Sequence, residues 1–317
     1  AFISGFFKFL LLIRAIISNL RRSSTSFLFM RAIKHYSVDY LLIGHLTQDL
    51  QDDGSFRLGG TVSYASLTAH ALGRTPFILS AGNPATPLHD LENIELTLIP
   101  SANTTQFRNI PTDKGRKQYL YNQANQIQIQ HIPQEWSNPG IVHIAPVYHD
   151  LDPAILAQFP HSLVCLTPQG WMRKTDENKQ IHPQTLRGFE KWLGYAQAIV
   201  LSMEDLQGDL KEADRLASYT QTLVVTQREN GALVYHNGKQ THFPAPEVKL
   251  LDDTGSGDIF AACFFHWLHR YQNPWQAARF AVELASQSVT REHFNSIPTQ
   301  EEIEKATHLA LEQAVYG

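Results

Sequence analysis

Asp252-Asp253-Thr254-Gly255-Ser256-Gly257-Asp258, followed without a break by the apolar run IFAACFFHWL (259–268), is the stretch that decides the fold. Small residues opening a helix leave its first backbone N–H groups unobstructed, and those groups with the helix dipole make an anion site. An acid in that first turn, Asp258, lies beside any phosphate held there. It can take the proton of an attacking hydroxyl while the N–H groups hold the charge of the transferred group. Phosphoryl transfer needs this pairing of position and electrostatics. A simply capped helix start accounts for the same letters, because acids favour first turns and Gly-Ser-Gly is common loop material. The local pattern leaves both readings open.

Outward from this stretch the chain has an α/β rhythm. Helical patterns are expected over 259–271, 274–290 and 299–314, the last opened by a Thr299/Glu302 capping box. Upstream, the apolar runs 141–145, 163–167, 198–202 and 223–226 read as buried strands. Residues 232–236 and 241–243, joined through Asn237-Gly238, read as a hairpin. Near the start, a strand over 38–44, the pair Gly59-Gly60, a helix over 61–72 stopped by Gly73, and a strand over 77–81 make a βαβ unit. Residues 94–132 instead alternate apolar and polar side chains, which implies strands with one wet face. With residues 51–58 they are expected to form a small projecting sheet, a lid, or else an antiparallel edge of the main sheet.

Composition narrows the function. The 317 residues carry a formal net charge of −4, and no basic cluster in the main body marks a nucleic-acid groove. Cys165 and Cys263 sit in apolar runs and read as buried free thiols of a reducing compartment. The first residues differ: from Ala1 to Val38 there are six Lys/Arg and no acid, with an apolar stretch broken by Lys8 and Arg14. Residues 1–36 are therefore set apart as an extension, a targeting segment or mistranslated upstream sequence, and 37–317 as the domain. A main-domain membrane partner is not expected. The localisation expected is cytoplasmic, or organellar if the extension is a real presequence.

The signature resembles the D-T-x-G-A-G-D motif of PfkB/ribokinase-type carbohydrate kinases. Asp252 matches the first Asp, Gly255, Ser256 and Gly257 match G-A-G, and Asp258 matches the catalytic base; Asp253 stands where Thr or Pro is usual. A second motif agrees in order: Gly44-HLTQ-Asp49, Gly59-Gly60, and a helix closed by Leu72-Gly73. The resemblance implies that Asp49 binds substrate hydroxyls and that Gly59 and Gly60 let substrate approach the backbone. It covers about residues 37–313. It implies a three-layer α/β/α domain with a mostly parallel sheet and a β-strand lid. It also implies a kinase for a sugar, cyclitol or nucleoside, with ATP, Mg²⁺ and in some relatives a monovalent cation; residues 59–73 hold no Lys or Arg to take a phosphosugar, so a neutral acceptor is expected.

Weaker matches complete the donor side. Ser202 and Asp205 replace the Asn and Glu of a metal-ordering region, so Asp205 is expected to reach a metal through water. Thr226, Arg228 and Gly231 fall in a nucleotide strand and loop, Arg228 standing where Gly is usual; Asp252 and Thr254 are counted with them. Tyr64 stands where relatives often have a sugar-contacting Asn, and reads either as a stacking contact for a ring or as a core aromatic. Arg116, on the expected lid, reads as a substrate contact or a solvated arginine. Fifteen histidines form no H-E-x-x-H or Cys/His framework. A non-catalytic relative with the same fold is the competing reading. A dinucleotide oxidoreductase ranks lower, because Gly59-Gly60 does not give G-x-G-x-x-G. The assembly expected is a monomer or homodimer.

Overall fold

The computed structural model describes residues 38–112, 115–136 and 138–312, with the side chains of 111, 115 and 116 left aside. The expected extension, residues 1–36, lies outside the described residues.

A nine-stranded sheet forms the centre. From one edge its strands are Lys239–Phe243, Ala232–His236, Thr222–Thr226, Ala198–Ser202, Leu163–Leu166, Ile141–Ile144, Tyr40–Ile43, Pro76–Gly82 and Glu95–Pro100. All pair in parallel except the hairpin at the first edge. The hairpin turns through Asn237 and Gly238, both at positive φ, as a tight two-residue loop requires.

Covering on both faces explains the continuous apolar strands. Along Tyr40–Ile43, Tyr40 and Leu42 point to one core, and Leu41 and Ile43 to the other. The first core is roofed by helices Thr61–Ala71, Ser256–Tyr271 and Pro274–Ser288, joined by Gln300–Glu312. The second is closed mainly by short helical turns and by helix Leu210–Ala217. The capping box forms: Thr299 N–H donates to Glu302 Oε2 at 2.8 Å, and Glu302 N–H to Thr299 Oγ1 at 3.3 Å. Both cysteines are buried and free. Among the described residues no helix is long and apolar enough to cross a membrane.

A separate four-stranded sheet, in the order Phe56–Gly59, Thr47–Leu50, Thr105–Thr112, Gly115–Asn122, makes the lid. Its central pair is parallel and the outer pairs antiparallel. Two boundaries differ from the sequence reading. Glu95–Pro100 alternates because it is the exposed edge of the main sheet, paired in parallel with Pro76–Gly82, and not a lid strand. Thr47–Leu50, upstream of the expected residues 51–58, also lies in the lid, so Asp49 rides on a lid strand.

Candidate active site

The signature helix Ser256–Tyr271 begins after Gly255, whose φ of 78° is left-handed, and no side chain caps it. A Cβ on Gly255 would lie 2.3 Å from Tyr64 Cδ1, whereas one on Gly257 would meet nothing within 4 Å. Gly255 is thus demanded by backbone and neighbour together, while Gly257 leaves the helix start open on its outer side. Ser256 Oγ turns back to donate to the Asp253 carbonyl at 2.8 Å. Asp258 stands half-buried in the first turn.

Asp252 braces the approach to this turn. It accepts from Thr254 N–H at 2.9 Å and from His293 N–H at 3.3 Å. Burial works to raise its pKa, but hydrogen bonds from Thr254 and His293 and the charge of Arg57 outweigh it and hold the carboxyl below its ordinary value. Asp252 and Thr254 therefore fold the loop.

On the lid side, Gly59 makes room for Asp49: a Cβ there would sit 2.7 Å from Asp49 Oδ2 and 3.0 Å from Thr47 Oγ1. Gly60, at φ 90°, starts helix Thr61–Ala71. Its Cβ would lie 2.8 Å from the His45 carbonyl. Arg57 lies opposite Asp49 in the strand register. Beside this strand a cavity of about 400 Å³ is lined by Arg57, His89, Asp90, His293 and Asn295 among others.

Tyr64 joins the two halves. Its ring is 2% exposed, edge-on to Phe294 and His293 at centroid distances of 4.9 and 6.0 Å. Burial first, then the charges of Asp49, Asp258 and Asp252, push its phenol well above the ordinary tyrosine value. One buried phenol thus feels the lid carboxylate and both signature carboxylates. The stacking contact expected of Tyr64 has no open ring face; it is a core aromatic that backs Gly255. Trp171 is likewise buried, stacked on Phe189.

On the donor side, Ser202 N–H and Oγ–H donate to Asp205 Oδ2 at 2.8 and 2.7 Å, and Gln169 reaches Oδ1 at 3.4 Å. A hydrated magnesium ion entering with a nucleotide takes one or two carboxylates and keeps several waters. Asp205, through Oδ1, fits that outer role only. Among the described residues no group of three or more His, Cys, Asp or Glu is placed to hold a metal. Thr226 Oγ1 donates to the Leu201 carbonyl at 3.4 Å. Arg228, at φ 52°, pairs with Glu204 and, at 3.5 Å, with Asp253, and so bridges the loop after Ala198–Ser202 to the signature loop. A Cβ on Gly231 would fall 2.0 Å from the Phe243 carbonyl, so that glycine serves hairpin packing. The side chain of Arg116 lies outside the described residues; its backbone pairs with Pro111.

Sequence reading missed the clasp at the lid's root. His45 N–H donates to buried Asp150 at 3.0 Å, while the ring contacts Thr105 Oγ1 at 2.7 Å and the Asn125 carbonyl at 2.9 Å. Asp150 also accepts from Val147 and Tyr148 N–H groups. The only signal was a histidine directly after Gly44 at a strand end.

A four-stranded lid sheet beside a mainly parallel α/β domain, with an uncapped helix start at the signature, defines the ribokinase-like fold class. Comparison with known proteins agrees. The family model described as pfkB family carbohydrate kinase matches residues 182–300. A deoxyribokinase from Salmonella typhi is 37% identical over 68 residues, 22% of this chain and 22% of that protein. A fructokinase from Klebsiella pneumoniae is 33% identical over 112 residues, 32% of this chain and 36% of that protein. The matched stretches thus span well under two thirds of either relative. A pyrophosphate-dependent kinase in the ribokinase family, solved with a pyrophosphate analog and myo-inositol, superposes with a TM-score of 0.69 at 20% identity. That match covers 84% of this chain and 99% of that one. Over residues 182–300 the chain is similar to the pfkB carbohydrate kinases, and its fold is that of the ribokinase-like kinases.

Proposed function

We propose that the chain is a small-molecule kinase moving the γ-phosphoryl group of ATP to a hydroxyl of a neutral sugar, cyclitol or nucleoside. The observation that carries this reading is the packing of the signature loop on the acceptor-side helix: Tyr64 stands directly behind Gly255, and the glycine pair that opens its helix leaves room for Asp49 of the lid. The acceptor lies on the Gly59–Gly60 floor with its hydroxyls on Asp49. Asp258 takes the proton of the attacking hydroxyl as its oxygen bonds to phosphorus and the bond to the ADP oxygen breaks. The open N–H groups of the helix start hold the charge of the transferring group. Asp205 would order, through water, a magnesium ion entering with the donor, which would offset phosphate charge. The names of the relatives, a deoxyribokinase and a fructokinase, and the myo-inositol bound by the structural neighbour support a neutral polyol acceptor.

A second reading, a ligand-binding relative without catalysis, is favoured by one observation: Ser202 occupies Asp205 Oδ2 where a metal-ordering acid is expected. A panel of sugars, cyclitols and nucleosides with labelled ATP and Mg²⁺, and a parallel arm with pyrophosphate, separates the two. Asp258→Asn should then lower kcat by about 10²–10⁴ with the fold and ATP binding intact, the usual scale for loss of a general base. A near-normal kcat in that variant rules out Asp258 as the base.

A further inference from the structure

We propose that His293 is a positioning residue that locks the acceptor floor to the signature loop; the proposal rests on the phosphotransfer reading above. His293 opens a short helical turn after the long helix that ends at Ser288, and its φ of 50° is left-handed. Such a backbone is uncommon for a residue with a side chain. Here it lets one residue make two bonds in different directions. Its backbone N–H donates to Asp252 Oδ2 at 3.3 Å. Its ring Nε2 lies 2.8 Å from the Leu58 carbonyl. A carbonyl only accepts, so Nε2 carries the hydrogen.

Both partners lead straight to the site. Leu58 is the lid residue before Gly59, and the Gly59 Cβ position lies 2.7 Å from Asp49 Oδ2. Asp252 begins the loop that ends in Gly255 and Asp258. The same imidazole stands edge-on to Tyr64, which backs Gly255. The segment is itself anchored, because Arg291 holds both Glu302 oxygens, at 2.6 and 3.0 Å. His293 therefore fixes the lid strand that carries the acceptor floor at a set distance from the loop that carries the base. Its side chain is only half-buried, so its removal leaves both cores intact.

Full-length wild type, His293→Gly and His293→Gln separate positioning from bulk structure. Glycine adopts the left-handed backbone freely and keeps the N–H bond to Asp252; the bond to Leu58 is lost together with the ring contacts to Tyr64 and Phe294, and His293→Gln, which returns the donor without the aromatic ring, tells the two apart. Glutamine restores a side-chain N–H donor. In His293→Gly the acceptor KM should rise roughly three- to tenfold, the worth of one net hydrogen bond. The donor KM should stay near wild type, and amide exchange across residues 56–60 should quicken. His293→Gln should return both readouts toward wild type. Unchanged exchange in His293→Gly overturns the tether. Faster exchange with an unchanged acceptor KM, or an equal rise in both KM values, overturns the positioning role. A wild type that turns over no acceptor with either donor overturns the phosphotransfer reading instead, and the exchange data still decide whether the tether exists.

Discussion

Gly255→Ala is the sharpest probe of how the signature loop is built. Two separable costs arise. The left-handed backbone, φ 78°, costs a side-chain-bearing residue about 1–2 kcal/mol. The new methyl would also fall 2.3 and 2.4 Å from Tyr64 Cδ1 and Cε1. That ring is buried against Phe294 and His293 and has no free side to swing toward. Forcing a methyl into such packing costs about 1–3 kcal/mol more. Gly73 supplies the control: its φ is 77°, and a Cβ there would meet nothing within 4 Å. Gly73→Ala should therefore show the backbone cost alone. Urea unfolding of Gly73→Ala, Gly255→Ala, Tyr64→Leu and the Gly255→Ala/Tyr64→Leu double variant measures both terms. The double variant should be less destabilised than the two single effects summed, by about 1–3 kcal/mol, because the clash term vanishes with the ring. If Gly255→Ala costs no more than Gly73→Ala, or if the cycle is additive within about 0.5 kcal/mol, Tyr64 does not back the loop and the account is wrong.

Two further predictions concern the acids around that loop. Gly59→Ala keeps an allowed backbone but places a methyl 2.7 Å from Asp49 Oδ2, so acceptor KM should rise while donor KM holds; steady-state kinetics varying each substrate checks this, and matched changes in both would count against it. The Asp252 carboxyl is held below its ordinary value in the folded state, so it stabilises the fold above its unfolded pKa and that share is lost as pH falls through its lowered folded pKa. Unfolding midpoints from neutral to acid pH should fall less steeply at the acid end in Asp252→Asn than in wild type, and parallel curves would refute the linkage.

The legible part of this protein was the part in which chemistry and backbone demand the same letters. Gly255, Gly257 and Asp258 had to be small, small and acidic for an open helix start, and the continuous apolar strands had to be covered on both faces. Alternation proved ambiguous for a physical reason. It reports one wet face, which the edge strand Glu95–Pro100 and the lid strand Thr105–Thr112 share, so periodicity cannot sort them. Tyr64 was undecided in sequence because a helix face carries core and cleft residues in one period; only its place under Gly255 settles it. His45, Asp150 and His293 act through contacts between segments far apart in the chain. No local pattern encodes such contacts.

The placement of Asp49 on a lid strand bears on how a kinase of this shape avoids wasting its donor. A general base beside a phosphate-binding helix start would activate water as readily as an alcohol, and closure that excludes water is the usual remedy. In the proposed reaction the acid that gathers acceptor hydroxyls belongs to the lid, and the base belongs to the main domain. That reaction brings Asp49 and Asp258 to one acceptor only while Thr47–Leu50 keeps its place beside Phe56–Gly59. The elements that hold it there are polar and specific: His45 on Thr105 and the Asn125 carbonyl at the lid's root, and His293 on the Leu58 carbonyl at its outer strand. Apolar packing alone would let the sheet slide, whereas directional hydrogen bonds fix its register. In the proposed reaction the left-handed backbone at His293 thus serves the strand Phe56–Gly59, whose position decides whether an alcohol or a water faces the base.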